Sequence, residues 1–374
     1  YKLMLLGKPE NRFDRIGERV KNTLATVIPQ WCTLKSVTAK DLAGIGHAVM
    51  FWGFSFFLLS YIVLIGLGEG LGLHTFINGT AFETVFLSVL DIAAVLVMAA
   101  MVWAAIRRYI MRPPRLEISV EAGFIMFLVF SLMALHLCIE SFAHAAEGIT
   151  SGWPIISTAI AGYLVNQGIP KETLLSVSHG AWWIHFALIC IFTIYIPRSK
   201  HLHVLASAFN VFFRPLDRKV VLEPIPLAAL EAMESEGVVD LGVAKLQDLK
   251  WKDILDTYAC AKCGRCHVSC PAQASGKSLS PREFLRHIKD HLLEDGPALL
   301  DGKTPVEGEG KSLIGDVVTE DEIWACTTCG ACQEVCPVNI EHIRKLIQMR
   351  QNLVLAQNKM PESAQLMLRN MQTR

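Results

Sequence analysis

The sequence predicts a mainly α protein, a polytopic transmembrane helix bundle followed by a small helical domain organised by cysteines. Two observations carry that reading. The 374 residues are 52% hydrophobic and only 19% charged, below the roughly 25% charge of soluble chains, and the charge falls outside a few long apolar runs. Eight of the eleven cysteines lie between Cys260 and Cys336. The apolar content excludes intrinsic disorder. A net charge of zero argues against a nucleic-acid partner. Clustered cysteines point to a metal site rather than a secreted disulfide framework.

Residues 1–43 form a basic segment carrying Lys2, Lys8, Arg12, Arg15, Arg19, Lys21, Lys35 and Lys40. Residues 44–205 are expected to be the membrane bundle, with spans near 44–66, 84–105, 120–139 and 177–196. Each approaches the ~20 apolar residues that cross ~30 Å of hydrocarbon. Between Gly44 and Ala105 the charged residues are Glu69, Glu83 and Asp91. Buried helices of a large soluble domain are the competing reading. The connection Leu67–Glu83 has no Lys or Arg, and Glu140–Ser176 has Lys171 alone. The second connection holds Arg107, Arg108, Arg112 and Arg115, and Arg198, Lys200, Arg214 and Arg218 follow the last span. The positive-inside rule then puts residues 1–40, the second connection and everything after Pro197 on the cytoplasmic side, and the membrane is expected to be a prokaryotic inner membrane. Residues 206–250 read as a cytoplasmic linker with a helix. Tyr1 is not an initiator Met and no signal-peptide pattern follows it, so a longer parent protein is expected.

Residues 251–374 carry the chemistry. Cys260, Cys263, Cys266 and Cys270 precede Pro271, and Cys326, Cys329, Cys332 and Cys336 precede Pro337. Both runs read C-x2-C-x2-C-x3-C-P. Three close thiolates wrap one iron–sulfur cube while the fourth serves the partner cube. One 4Fe–4S cluster is therefore expected on Cys260, Cys263, Cys266 and Cys336, and another on Cys326, Cys329, Cys332 and Cys270. Zinc, often held by separated pairs, is the weaker alternative. Gly264 and Gly330 would let the backbone turn around each cube. The insert between the runs is helical: Ser280-Pro281-Arg282-Glu283 is a capping box, followed by Phe284, Leu285, Ile288, Leu292 and Leu293 at helical spacing. Thr319 to Glu322 repeats the cap, and Asn339 could cap a helix carrying Ile340, Ile343, Leu346 and Ile347. A last helical pattern covers Pro361–Met371. This region resembles the α-helical ferredoxin domain of succinate dehydrogenase-type and heterodisulfide reductase-type proteins.

Histidines in the spans are costly and point to function. His47 lies near the cytoplasmic end of the first span, His136 toward the outer end of the third, His185 inside the fourth, and His203 just after it. His185 and His203 are 18 residues apart, about five turns and ~27 Å along a continuous helix, although Pro197 would kink it. The stretch from Trp182 to His203 resembles the last span of the respiratory nitrate reductase gamma subunit, a family that binds two b haems. The resemblance implies one haem on His47 and His203. A second would use His185 with His136 as its first-choice partner, because Phe57 stands where that family has another histidine. His144 and His179 are alternatives to His136, and His201 is a weaker rival to His203.

The order of the parts, with Lys8-Pro9-Glu10-Asn11-Arg12 and Gly276-Lys277-Ser278-Leu279-Ser280-Pro281, resembles membrane-bound iron–sulfur oxidoreductases of the heterodisulfide reductase superfamily. The electron-transfer-flavoprotein:menaquinone oxidoreductases are the nearest version. The resemblance implies a respiratory-chain enzyme that takes electrons from reduced electron transfer flavoprotein, or another cytoplasmic redox protein, to menaquinone through two 4Fe–4S clusters and one or two b haems. A heterodisulfide- or hydroxy-acid-linked quinone oxidoreductase, or a non-catalytic anchor and relay subunit, are the alternatives. It also implies an upstream span and downstream catalytic CCG domains. Glu140 and His144, one turn apart at the outer end of the third span, are the candidate quinone residues. Asp91 reads equally as a proton-path residue or as a hydrogen-bonding group between helices. Cys32, Cys138 and Cys190 read as structural.

Overall fold

The computed structural model describes residues 2–38, 41–63, 71, 79–217, 225, 241–302 and 311–373. Among these there are helices and isolated bridges but no strand. In chain order the main helices are α1 (Ile16–Val27), α2 (Ala43–Ser60), α3 (Ala81–Ala105), α4 (Val120–Glu147), α5 (Ile155–Asn166), α6 (Lys171–Tyr195), α7 (His203–Phe212), α8 (Trp251–Ala259), α9 (Arg265–Val268), α10 (Pro281–Leu300), α11 (Glu320–Ala325), α12 (Ala331–Glu334), α13 (His342–Gln351) and α14 (Glu362–Gln372). The chain divides into two units, Thr33–Ser199 and a second made of Tyr1–Cys32 with Lys200–Arg374. Most of the first connection, Lys40 and, within the expected linker over 206–250, residues 218–224 and 226–240 lie outside the described residues.

In the unit Thr33–Ser199 the four long helices are apolar enough to cross a membrane: Ala43–Val63, Ala81–Met111, Val120–Glu147 and Lys171–Arg198. They contain the expected spans as far as these are described, residues 64–66 of the first lying outside the described residues, and run longer at most ends. Their shared core gathers Phe57, Phe86, Leu90, Ala94, Val97, Met101, Leu132, Met133 and Leu137. Small residues let backbones approach: a Cβ on Gly53 would collide with Val97 Cγ2, so α2 and α3 meet at close range. Outward-facing Phe54, Leu58, Val95, Phe127 and Ile194 are exposed, as side chains against lipid should be. α3 and α4 each start at a hydroxyl cap, with Thr80 and Ser119 accepting from Glu83 N and Ala122 N. α4 ends at Gly148 with φ +76°, the left-handed stop that glycine accommodates.

The third connection hides an element that hydropathy alone did not separate. α5 is a short apolar helix with Ser157, Thr158 and Ala161 buried. Its first turn is fixed by Asp91 of α3, whose carboxylate accepts from Ser157 N at 2.8 Å and Ser157 Oγ at 2.6 Å. Asp91 is thus a capping group between helices, satisfying donors at a helix start.

In the other unit, the core is built from α10 and the segments around it. Phe284, Leu285, Ile288 and Leu292 of α10 are buried, but Leu293 is 49% exposed. Ser280 and Thr319 cap α10 and α11 through Glu283 N and Glu322 N. Pro361 precedes α14. Asn339 is not a cap: it takes φ +56°, and α13 begins three residues later, after Glu341. The loop after Cys336 has to reverse before the helix can start, and the left-handed residue makes that reversal.

Candidate iron–sulfur centres

Each cysteine run folds the same way. The third residue of each run, Lys262 and Thr328, takes φ +51° and +55°. The glycines after the second cysteines, Gly264 and Gly330, take φ +76° and +80°. Two left-handed residues around one cysteine curl the chain into a cup, and α9 and α12 then carry the third cysteine of each run inward. The glycines were legible from the motif. Lys262 and Thr328 were not, because neither residue type advertises positive φ.

Cys260, Cys263, Cys266 and Cys336 line one cavity together with Lys262, Arg265, Arg282, Ile340 and His342. Cys326 and Cys332 lie near both Cys270 and Cys329, close enough to interact electrostatically. The structure therefore groups the cysteines across the two runs, each fourth cysteine with the opposite three. Burial pushes the Cys260 thiol up to about 11 and, with its cysteine neighbours adding to the rise, Cys332 up to about 12. Cys266 and Cys336 are also raised by burial and neighbouring cysteines. Four crowded, buried thiolates repel one another unless a cation joins them, so this donor set fits an iron–sulfur cube. Backbone N–H groups already point at sulfur: Thr328 N donates to Cys326 Sγ and Ile340 N to Cys336 Sγ, both at 3.4 Å.

The surroundings are held by charge. Asp256 accepts from Lys252 Nζ at 2.7 Å, from Lys345 Nζ, and from Glu341 N at 3.1 Å. Asp253 accepts from Arg344 at 2.8 Å. Arg344 also reaches Glu10 at 2.8 Å, and Arg12 reaches Glu341 at 3.1 Å. Lys252, Asp253, Asp256 and Lys345 are each 0% exposed. The Lys8-to-Arg12 motif thus ties the N-terminal segment into the base of α8 and α13. Sequence reasoning missed this network because charged side chains read as solvated; the i, i+4 pair of Lys252 and Asp256 was the available signal. On the other side, Arg350 of α13 donates to the carbonyls of Ile323, Trp324 and Cys326, fixing the chain as it approaches the second run.

Within the membrane bundle, His136, Glu140 and His144 follow one another on a single face of α4. His136 Nε2 lies 4.0 Å from Asp91 Oδ1, and the ring of Phe57 stands edge-on to it at 5.0 Å. His185 Nε2 meets the Tyr61 hydroxyl at 2.9 Å. His136 Nε2 and His144 Nδ1 are buried without a hydrogen-bond partner, so each offers a ring nitrogen that an iron could take, whereas His185 also faces the Leu132 backbone. His179 is exposed, as is His47 on α2, and His203 opens α7 in the other unit.

The 4Fe-4S dicluster domain model matches residues 259–340. Fold and site together define a helical 4Fe–4S dicluster protein joined to an apolar, membrane-type helix bundle. The chain is 34% identical to the probable iron-sulfur-binding oxidoreductase FadF of Bacillus subtilis, over 96% of this chain and 53% of that protein. It is 30% identical to the EtfAB:quinone oxidoreductase of Syntrophomonas wolfei, over 98% of this chain and 53% of that one. An iron-sulfur subunit of the CoB--CoM heterodisulfide reductase from Methanopyrus kandleri is 32% identical over 24% of this chain and 35% of its own. The chain is similar to these iron–sulfur oxidoreductases, and it spans about half the length of the first two. No solved structure matches it.

Proposed function

We propose that this chain is the membrane and ferredoxin portion of an oxidoreductase that passes electrons between a cytoplasmic donor, electron transfer flavoprotein or a similar redox protein, and menaquinone. The grouping of cysteines across the two runs, on a chain that also carries four membrane-type helices, is the observation that supports it most. When bound, two 4Fe–4S clusters and b haem would carry single electrons. Cys260, Cys263, Cys266 and Cys336 would hold one cluster, and Cys326, Cys329, Cys332 and Cys270 the other. His47 with His203, and His185 with His136, would be the axial haem ligands. Support for the second pair is the unpartnered Nε2 of buried His136; Tyr61 would orient His185. Glu140 and His144 would exchange protons with quinone at the outer end of α4, and Asp91, bonded to Ser157, would fix the helices around them. The cluster domain would face the cytoplasm, on the side that Lys and Arg mark.

The test is the anaerobically purified protein. Iron and sulfide at the level of two cubes, b haem by pyridine haemochrome, and oxidation of the reduced chain by a menaquinone analogue are expected. Clusters that stay reduced when the quinone is added would overturn the quinone reading. Absence of haem would overturn the histidine assignment alone. If the full-length parent oxidises no flavoprotein without further subunits, the anchor-and-relay version replaces the enzyme.

A further inference from the structure

α1 is packed inside out. Its apolar residues recur every four positions and fall on one side, and that side is the open one: Ile16, Val20, Leu24 and Ile28 are 55%, 43%, 51% and 57% exposed. The side facing the protein carries Arg19, which is 3% exposed. Its guanidinium donates to the carbonyls of Asp14, Phe212 and Arg214 at 2.8, 3.0 and 2.9 Å, and to the Asp14 carboxylate at 2.6 Å. α7 repeats the inversion. Leu205 and Phe209 point outward at 57% and 60% exposure, while Asn210 is fully buried and donates to Val338 O at 2.8 Å.

A helix surrounded by water turns its apolar stripe inward and its arginine outward. Two neighbouring helices that do the opposite, with Arg19 and Asn210 each donating hydrogen bonds inward, point to an apolar medium outside. Chain continuity names that medium. α7 starts at His203, a few residues after the candidate span that ends at Arg198, and α1 precedes the span that starts at Ala43. Arg15 just before α1, and Glu18 and Lys21 on it, are exposed, placed to stay at headgroup level while the apolar stripe sinks. We propose that α1 and α7 lie in the membrane plane, with Phe13, Ile16, Val20, Leu24, Leu205 and Phe209 set into the boundary between acyl chains and headgroups. The occupant of this face is lipid. Asn210 reaches Val338, two residues past Cys336, so the cysteine set containing Cys336 is buttressed by the lipid-facing helix and is the membrane-proximal one.

The surface is separable from the electron-transfer reading, because its test reads lipid contact and not turnover. A benzophenone amino acid is placed singly at Val20, Leu24, Leu205 or Phe209 of the full chain, reconstituted in nanodiscs, and at Asp321 or Glu334 as controls. The visible absorbance of the clusters reports folding in each case. After illumination, mass spectrometry should find phospholipid adducts at the four apolar positions and none at the controls. Adducts joining these positions only to protein, within the chain or to a second copy, would overturn the proposal, as would the absence of adducts in a folded sample.

Discussion

The two cysteine sets have the same spacing, the same pair of left-handed residues and the same crossed grouping, yet they sit in different surroundings. The set containing Cys336 is lined by Lys262, Arg265 and Arg282 and adjoins the buried ion network and α7. In the other set Cys329 is exposed, and Thr328 and Ala331 stand where the first has Lys262 and Arg265. Arg350 is its nearby cation. Motif geometry is thus fixed by the backbone, while potential and access are set by residues that the motif leaves free. Positive charge favours the reduced, more negative cluster, so the Cys336 set should have the higher potential.

The largest effect should come from breaking the network beneath the first set. Lys345→Met leaves Asp256 and Asp253 buried with fewer partners, at a cost of about 3–5 kcal/mol. Chemical denaturation of the whole chain should show it. If stability is unchanged, the network is not holding the first site.

His342 provides the next test. Burial lowers its pKa to about 4, below the ordinary value near 6.5. The unfolded state therefore binds more protons between those values. Stability should be fully present above about pH 6.5 and fall as pH drops toward 4, by roughly 3 kcal/mol in all. His342→Gln should flatten that part of the pH profile. An unchanged slope would remove His342 from the account.

Effects on the second set should be smaller. Arg350→Met frees the carbonyls of Ile323, Trp324 and Cys326, at about 1–3 kcal/mol, and should loosen the Cys326 set while leaving the first intact. Redox titration followed by EPR would show one cluster perturbed; perturbation of both would mean that the sites are not separable. The smallest effect should follow Lys262→Thr, which gives the first set the residue of the second. Its potential should fall toward that of its partner, and no shift would mean that Lys262 is screened by water.

The contrast also explains what the sequence revealed. Cysteine spacing, the two glycines, the hydroxyl caps at Ser280 and Thr319 and the long apolar runs are local signals, and local geometry follows them. Asp91 capping Ser157, Glu10 reaching Arg344 and Arg19 turned inward are contacts across large sequence separations, and nothing in the neighbouring residues encodes them. α1 shows this most clearly. Its basic residues read as a solvated segment, whereas its apolar stripe takes meaning only once Arg19 is seen to be buried.

The central claim is the crossed grouping of cysteines, and low-temperature EPR of reduced serine variants tests it directly. Cys336→Ser should give the same residual spectrum as Cys260→Ser, with the cluster of the second run intact. Cys270→Ser should give the complementary spectrum, matching Cys326→Ser. A Cys336→Ser spectrum that matched Cys326→Ser would contradict the account, because each run would then hold its own cluster.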